Sequence, residues 1–156
     1  RDFEIECEFD SADGDEGVLY AIGDNMNGLA AFAMHGMLYV GFTAGPAIRR
    51  HVTLPLAAGA HRLVLKHGAS GKRKGTGTLV LDDKQHEDTL DMSPTFLRLG
   101  GEGVDVGLDR KRKVSTLYSG RGTFGFTGHV RHVRVMPGAQ APGSLANRPE
   151  AQAQLD

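Results

Sequence analysis

Phe3-Glu4-Ile5-Glu6-Cys7-Glu8-Phe9-Asp10 places an apolar side chain at every second position and a carboxylate at each position between. A period of two is the strand period, because successive side chains leave a strand on opposite faces. The stretch therefore has one dry face and one wet face. Burying each apolar side chain is worth ~1.5–3 kcal/mol. A slip of one residue would turn the carboxylates inward, so the register is strongly fixed.

Working outward, further short strands are predicted at Val18–Ile22, Leu29–Met34, Leu38–Phe42, Val52–Leu54, His61–Lys66, Thr78–Leu81, Gln85–Glu87, Val104–Leu108 and Val130–Val135. Turn chemistry separates them. His35-Gly36 and Asp82-Asp83 read as tight hairpin turns, with Gly36 taking a positive φ. The glycine-rich stretch from Gly68 to Gly77 reads as a solvated hairpin loop. In His129-Val130-Arg131-His132-Val133-Arg134-Val135 the alternation breaks once. A β-bulge at Arg131-His132 would return Val130, Val133 and Val135 to one face. No segment has the period of a helix. Many short strands at this spacing predict an all-β fold, a two-sheet antiparallel sandwich of jelly-roll type, over residues 1–136. From residue 137 to 156 the pattern stops, and the composition reads as a linker or tail.

Composition narrows the function. The net charge of −1 creates no global field that would recruit nucleic acid or anionic lipid. No apolar run approaches the ~20 residues of a membrane span. A single cysteine, Cys7, excludes an internal disulfide and favours a reducing compartment, the cytoplasm, with the periplasm or secretion as the alternatives. The chain opens on Arg1 directly before a strand, which reads as a processed or excised fragment.

Few residues suggest chemistry. Gly71-Lys72-Arg73 lacks the glycine spacing and the hydroxyl residue of a phosphate loop. The serines sit in no nucleophile elbow, and Cys7 lies on the dry face of its strand, where a thiol is an inert small hydrophobe. His129 and His132 are spaced i,i+3, which on a regular strand points to opposite faces and opposes a zinc site. Asp105, Asp109 and the Asp24/Asn25/Asn27 turn could supply oxygens for calcium, or simply cap turns. The exposed candidates for a ligand or interface are Tyr118, in the Ser115–Gly122 loop, with Asp105, Asp109 and the basic run Arg110, Lys111, Arg112 and Lys113. Tyr20 and Tyr39 lie within strands and are expected to pack.

Several stretches, taken in order, carry a resemblance. They are Gly17-Val-Leu-Tyr-Ala-Ile-Gly23, Gly36-Met-Leu-Tyr-Val40, Leu54-Pro-Leu-Ala-Ala-Gly-Ala-His61, Gly77-Thr-Leu-Val-Leu-Asp82, Val104-Asp-Val-Gly-Leu-Asp109 and Phe124-Gly-Phe-Thr-Gly-His-Val130. Together they resemble the C-terminal β-sandwich region of a bacterial branch of the arylsulfatases. The resemblance implies a non-catalytic domain packed on a sulfatase catalytic domain of the same polypeptide. That missing domain would carry the calcium and the formylglycine, leaving this chain with no cofactor of its own. The pattern departs after Asp109, where Lys111, Arg112 and Lys113 replace a neutral turn. The sandwich is also similar to concanavalin-A-like and laminin-G-like modules, which implies the alternative of a carbohydrate- or sulfated-glycan-binding module using Tyr118 and the basic run.

Overall fold

The computed structural model describes residues 3–24, 26–44, 48–71, 74–92, 104–110 and 113–137. Among the described residues ten strands run in chain order: β1 (Phe3–Ser11), β2 (Gly17–Gly23), β3 (Asn27–Met34), β4 (Met37–Ala44), β5 (Ile48–Pro55), β6 (Gly59–Gly71), β7 (Lys74–Leu81), β8 (Lys84–Asp91), β9 (Val104–Val106) and β10 (His129–Pro137). They form two antiparallel five-stranded sheets, ordered β10-β1-β6-β7-β8 and β5-β4-β3-β2-β9. Among the described residues there is no helix long and apolar enough to cross a membrane.

The main core lies between the sheets. Phe3, Ile5, Cys7 and Phe9 of β1 are fully buried there, as their alternation predicts, against Leu29, Leu38, Val40 and Phe42 of the opposite sheet and Leu63 and Leu65 of β6. The expected bulge in β10 is present. Glu8 pairs with His132 and Phe9 with Val130, so Arg131 is the extra residue. Val130, Val133 and Val135 pack together against the core as a result. Both predicted hairpin turns form. His35 and Gly36 take φ values of 55° and 73°, and Asp82 and Asp83 take 53° and 66°. Positive φ at both central residues is the turn that matches strand twist.

Two expectations about extent are corrected. The stretch from Gly68 to Gly77 is strand rather than loop, except for residues 72 and 73, which lie outside the described residues. Gly68 pairs with Thr76 and Ala69 with Gly75. Small residues hide the period of two, but a backbone ladder needs no apolar side chain to continue. The strand expected over Val104–Leu108 ends at Val106, where Gly107 turns with φ 78°. Of the tail expected from residue 137, residues 138–156 lie outside the described residues.

A second, smaller core covers the other face of the β2–β4 sheet. Val114, Tyr118 and Phe124, from the segment after Lys113, pack on Val18, Ala21, Ala30, Phe32 and Met34. A bulge in β2 between Val18 and Tyr20 serves both layers, since Leu19 and Tyr20 both join the main core while Val18 and Ala21 face the second. The β2 and β3 strands are therefore dry on both faces. The outward face of the β10-β1-β6-β7-β8 sheet carries the charged side chains.

Candidate functional site

The wet face read from β1 lies at the centre of a polar surface. Antiparallel registry sets its rows. Glu4 pairs with Lys66, and Lys66 with Thr78; Glu6 pairs with Val64, and Val64 with Val80; Val80 pairs with Gln85; Glu8 pairs with Arg62 on one side and His132 on the other. Directly paired residues share a face, so these side chains meet across strands.

A groove of about 330 Å³ runs over this surface, lined by Glu4, Arg62, Val64, Lys66, Val80, Asp83 and Gln85. Val64 is buried and Val80 half-buried, so the two valines form an apolar floor beneath charged and amide groups. Asp83 reaches the groove because the Asp82-Asp83 turn joins β7 to β8 at its end. The turn is held by Asp82, whose carboxylate accepts the Arg62 backbone N–H at 2.8 Å and meets Nδ1 of the buried His61 at 2.6 Å.

Glu6 organises the neighbouring part of the face. Its Oε2 accepts a hydrogen bond from the Arg62 guanidinium at 3.1 Å, and its Oε1 lies 3.1 Å from His132 Nε2. Arg62 also lies 3.7 Å from Asp83. Glu6 itself is buried. The hydrogen bond from Arg62, then the one from His132, hold the Glu6 carboxyl below its ordinary value of 4.5. A depressed folded-state value stabilises the fold above the ordinary value, and that contribution is lost as pH falls below it. Glu6→Gln is therefore expected to melt below the wild type at neutral pH. The gap should begin to narrow as pH falls below the ordinary 4.5 and should vanish once pH has passed the lower folded value, where Glu6 is protonated in both states. Thermal melts across pH check this; a gap independent of pH would show that the charge of Glu6 contributes nothing.

The candidates named from sequence sit elsewhere and play other parts. Tyr118 is 1% exposed rather than presented to a ligand. Its ring meets Phe32 edge-on and stacks on Phe124, and its hydroxyl donates to Asp109 Oδ2 at 2.6 Å. Burial, with the Asp109 carboxylate beside it, pushes the phenol well above its ordinary range. Asp109 is buried as well, and its Oδ2 also accepts the Val114 N–H. Asp105 caps the Arg110 N–H at 2.9 Å, and Lys113 donates to the Asp109 carbonyl at 2.6 Å. Lys111 and Arg112 lie outside the described residues. In the turn after β2, Asp24 accepts the N–H groups of Met26 and Asn27. These carboxylates act as local caps on their own loops. Cys7 fits its sequence reading: burial pushes its thiol up to about 12, so it carries no thiolate at neutral pH.

His129 and His132 share a face, contrary to what i,i+3 spacing on a regular strand predicts. The extra residue at Arg131 pairs His129 with Asp10 and His132 with Glu8, which places both histidines on the wet face. The groove itself was missed, because alternation assigns faces but not neighbours. The clue that β2 and β3 are dry on both faces lies in the sequence. Val18-Leu-Tyr-Ala-Ile22 and Leu29-Ala-Ala-Phe-Ala-Met34 are unbroken apolar runs rather than alternating ones.

The chain superposes on the mouse laminin α1 chain, domains LG4-5, with a TM-score of 0.56 and 18% sequence identity, covering 86% of this chain and 34% of that one. It thus spans about a third of that laminin fragment. Sheep galectin-11, solved in complex with glycerol, aligns with a TM-score of 0.46 and 9% identity over 86% of this chain and 90% of the galectin. No family model and no curated protein matches the chain. The laminin likeness shows the fold: a laminin-G-like, concanavalin-A-like β-sandwich.

Proposed function

We propose that this domain is a non-catalytic carbohydrate-binding module whose site is the groove on the wet face of β1, β6 and β7. The observation that carries the reading is the groove's lining, in which Glu4, Arg62, Lys66, Asp83 and Gln85 surround a floor of Val64 and Val80. A sugar hydroxyl donates and accepts at once. The carboxylates supply acceptors, Arg62 and Lys66 supply donors, and the Gln85 amide supplies both. The valine floor suits the C–H face of a pyranose ring. Fold likeness alone assigns no ligand, so the reading stands on this chemistry.

The mixture of charges favours an uncharged saccharide over a sulfated one, since Glu4 and Asp83 would repel a sulfate that Arg62 and Lys66 attract. Of the basic run proposed as a sulfate site, Lys113 is engaged with its own loop, and Tyr118, its proposed stacking partner, is buried. Screening the domain on a glycan array, followed by NMR titration of the best sugar, tests the proposal. Perturbed amides should cluster on β1, β6 and β7, and Arg62→Ala or Gln85→Ala should weaken binding ~10-fold or more, as losing a hydrogen bond to a charged or buried group does. Sugar binding untouched by both substitutions would overturn it.

A second reading keeps the domain as a packing unit beside a catalytic domain, as the arylsulfatase resemblance implies. Val104 and Val106 favour it. They sit on the edge strand β9, paired with the inward-facing Ile22 and Tyr20, yet are 38% and 47% exposed. Apolar side chains left open at a sheet edge suit a protein partner. The sulfatase itself rests on the sequence resemblance. A cysteine in the sulfatase sequence context upstream in the same gene would support it, and an upstream region without one would remove it.

A further inference from the structure

Beside the groove, where β1 meets β10, the wet face brings together two carboxylates and an imidazole. One ligand atom from each of Glu6, Glu8 and His132 can be chosen so that all three lie within 4.8 Å of one another. We infer that this cluster is a binding site for a divalent transition ion of the zinc class, held by Glu6, Glu8 and His132 with the remaining position open to solvent.

The strand geometry builds the set. Glu6 and Glu8 are two residues apart on β1 and so share a face. The bulge at Arg131 places His132 directly opposite Glu8 on the adjoining strand. Both strands belong to one ladder, which fixes the spacing of the three backbones. Zinc bound by nitrogen and oxygen ligands at ~2.0–2.2 Å brings neighbouring donors to ~3.2–3.6 Å of each other in a tetrahedral site. His132 Nε2 and Glu6 Oε1 already lie 3.1 Å apart. The other two sides involve Glu8, whose carboxylate must swing from the Nδ1 side of the ring toward Nε2; Glu8 and His132 are 31% and 37% exposed, which leaves room for that rotation.

Arg62 is an independent element of the site. It holds Glu6 Oε2 at 3.1 Å and so leaves Oε1 turned toward the imidazole. Outer partners of this kind orient a ligand and are worth 10–100-fold in metal affinity. The donor set selects the ion. One imidazole with two carboxylates suits zinc, cobalt or nickel, whereas calcium needs six to eight oxygens. The alternative is a metal-free bridge, since Nδ1 of the same ring lies 3.8 Å from Glu8 Oε2 while Nε2 faces Glu6.

Zinc titration of the full chain by calorimetry, with thermal melts alongside, separates the two. The wild type should bind one equivalent and melt higher with zinc than with calcium or magnesium. His132→Ala and Glu8→Gln should each weaken zinc at least ~10-fold. Without metal, Glu8→Gln, on a half-exposed side chain, should melt near the wild type, and His132→Ala somewhat lower because it gives up its bond to Glu6, so each variant's metal response is read against its own metal-free melt. His35→Ala, at the β3–β4 turn, should bind as the wild type does. Cobalt(II) should give a visible absorption band that disappears in His132→Ala. Absence of zinc heat and of a melting shift in the wild type would leave only the imidazole bridge and overturn the site. Undiminished zinc binding by His132→Ala would overturn it too.

Discussion

Tyr118→Ala should destabilise the domain by about 3–5 kcal/mol, the cost of removing a large aromatic ring from a closed core. The ring fills the space between Phe32 on β3 and Phe124 on its own segment. Without it, the second core loses its centre, and the outer face of β2 and β3 is left with Val18, Ala30 and Phe32 partly uncovered. The hydroxyl has a separable share. Tyr118→Phe keeps the ring but leaves Asp109 Oδ2 with the Val114 N–H alone. Among the described residues Asp109 Oδ1 has no hydrogen-bond partner. All the side-chain bonding of this buried carboxyl therefore passes through Oδ2, and losing the hydroxyl should cost about 1.5–3 kcal/mol. Urea unfolding of Tyr118→Phe, Asp109→Ala and the double variant measures the coupling, which for two contacting residues should leave the costs clearly non-additive. If Tyr118→Ala costs under about 1 kcal/mol, the segment is a loose cover rather than part of the core.

Tyr118 also marks the limit of what the sequence discloses. Alternation in β1 identified which side chains face the core, and the break between Val130 and Val133 located a bulge that the structure contains. Both readings need only local period. The loop around Tyr118 is rich in serine, glycine and arginine, so by composition it resembles solvated chain. Its burial depends on what lies beneath it, the apolar outer face of β2 and β3. The groove is hidden for a related reason. Glu4, Arg62, Val80 and Gln85 are separated along the chain, and only the order β1-β6-β7-β8 makes them neighbours. Strand order is set by long-range pairing, to which a period of two is blind. The same pairing puts His132 beside Glu8, so the bulge that aligns the valines also decides where the imidazole goes.

The seating of that covering segment yields the other large effect. Gly17→Ala should cost at least about 3 kcal/mol, from positive-φ strain and a backbone collision together. Gly17 opens β2 with φ 120°, a conformation that strains any L side chain. A Cβ there would overlap the Gly125 carbonyl and stand 2.6 Å from the Phe126 Cα. These are main-chain atoms, and they are pinned. Val18 N–H donates to Phe124 O at 2.9 Å, and Thr127 N–H donates to Glu16 O at 2.8 Å. The added methyl can be accommodated only by lifting residues 124–127 off β2, which would also pull Phe124 away from Tyr118. Gly14→Ala separates the two terms. Gly14 has φ 82° but nothing within 4 Å of its would-be Cβ, so it carries conformational strain without collision and should cost about 1 kcal/mol. Urea denaturation of the two variants side by side gives the difference, which combines the close approach with the greater strain of φ 120° over φ 82°. Equal costs would mean that the segment yields freely, and that β2 and its cover are not locked together by these backbone bonds.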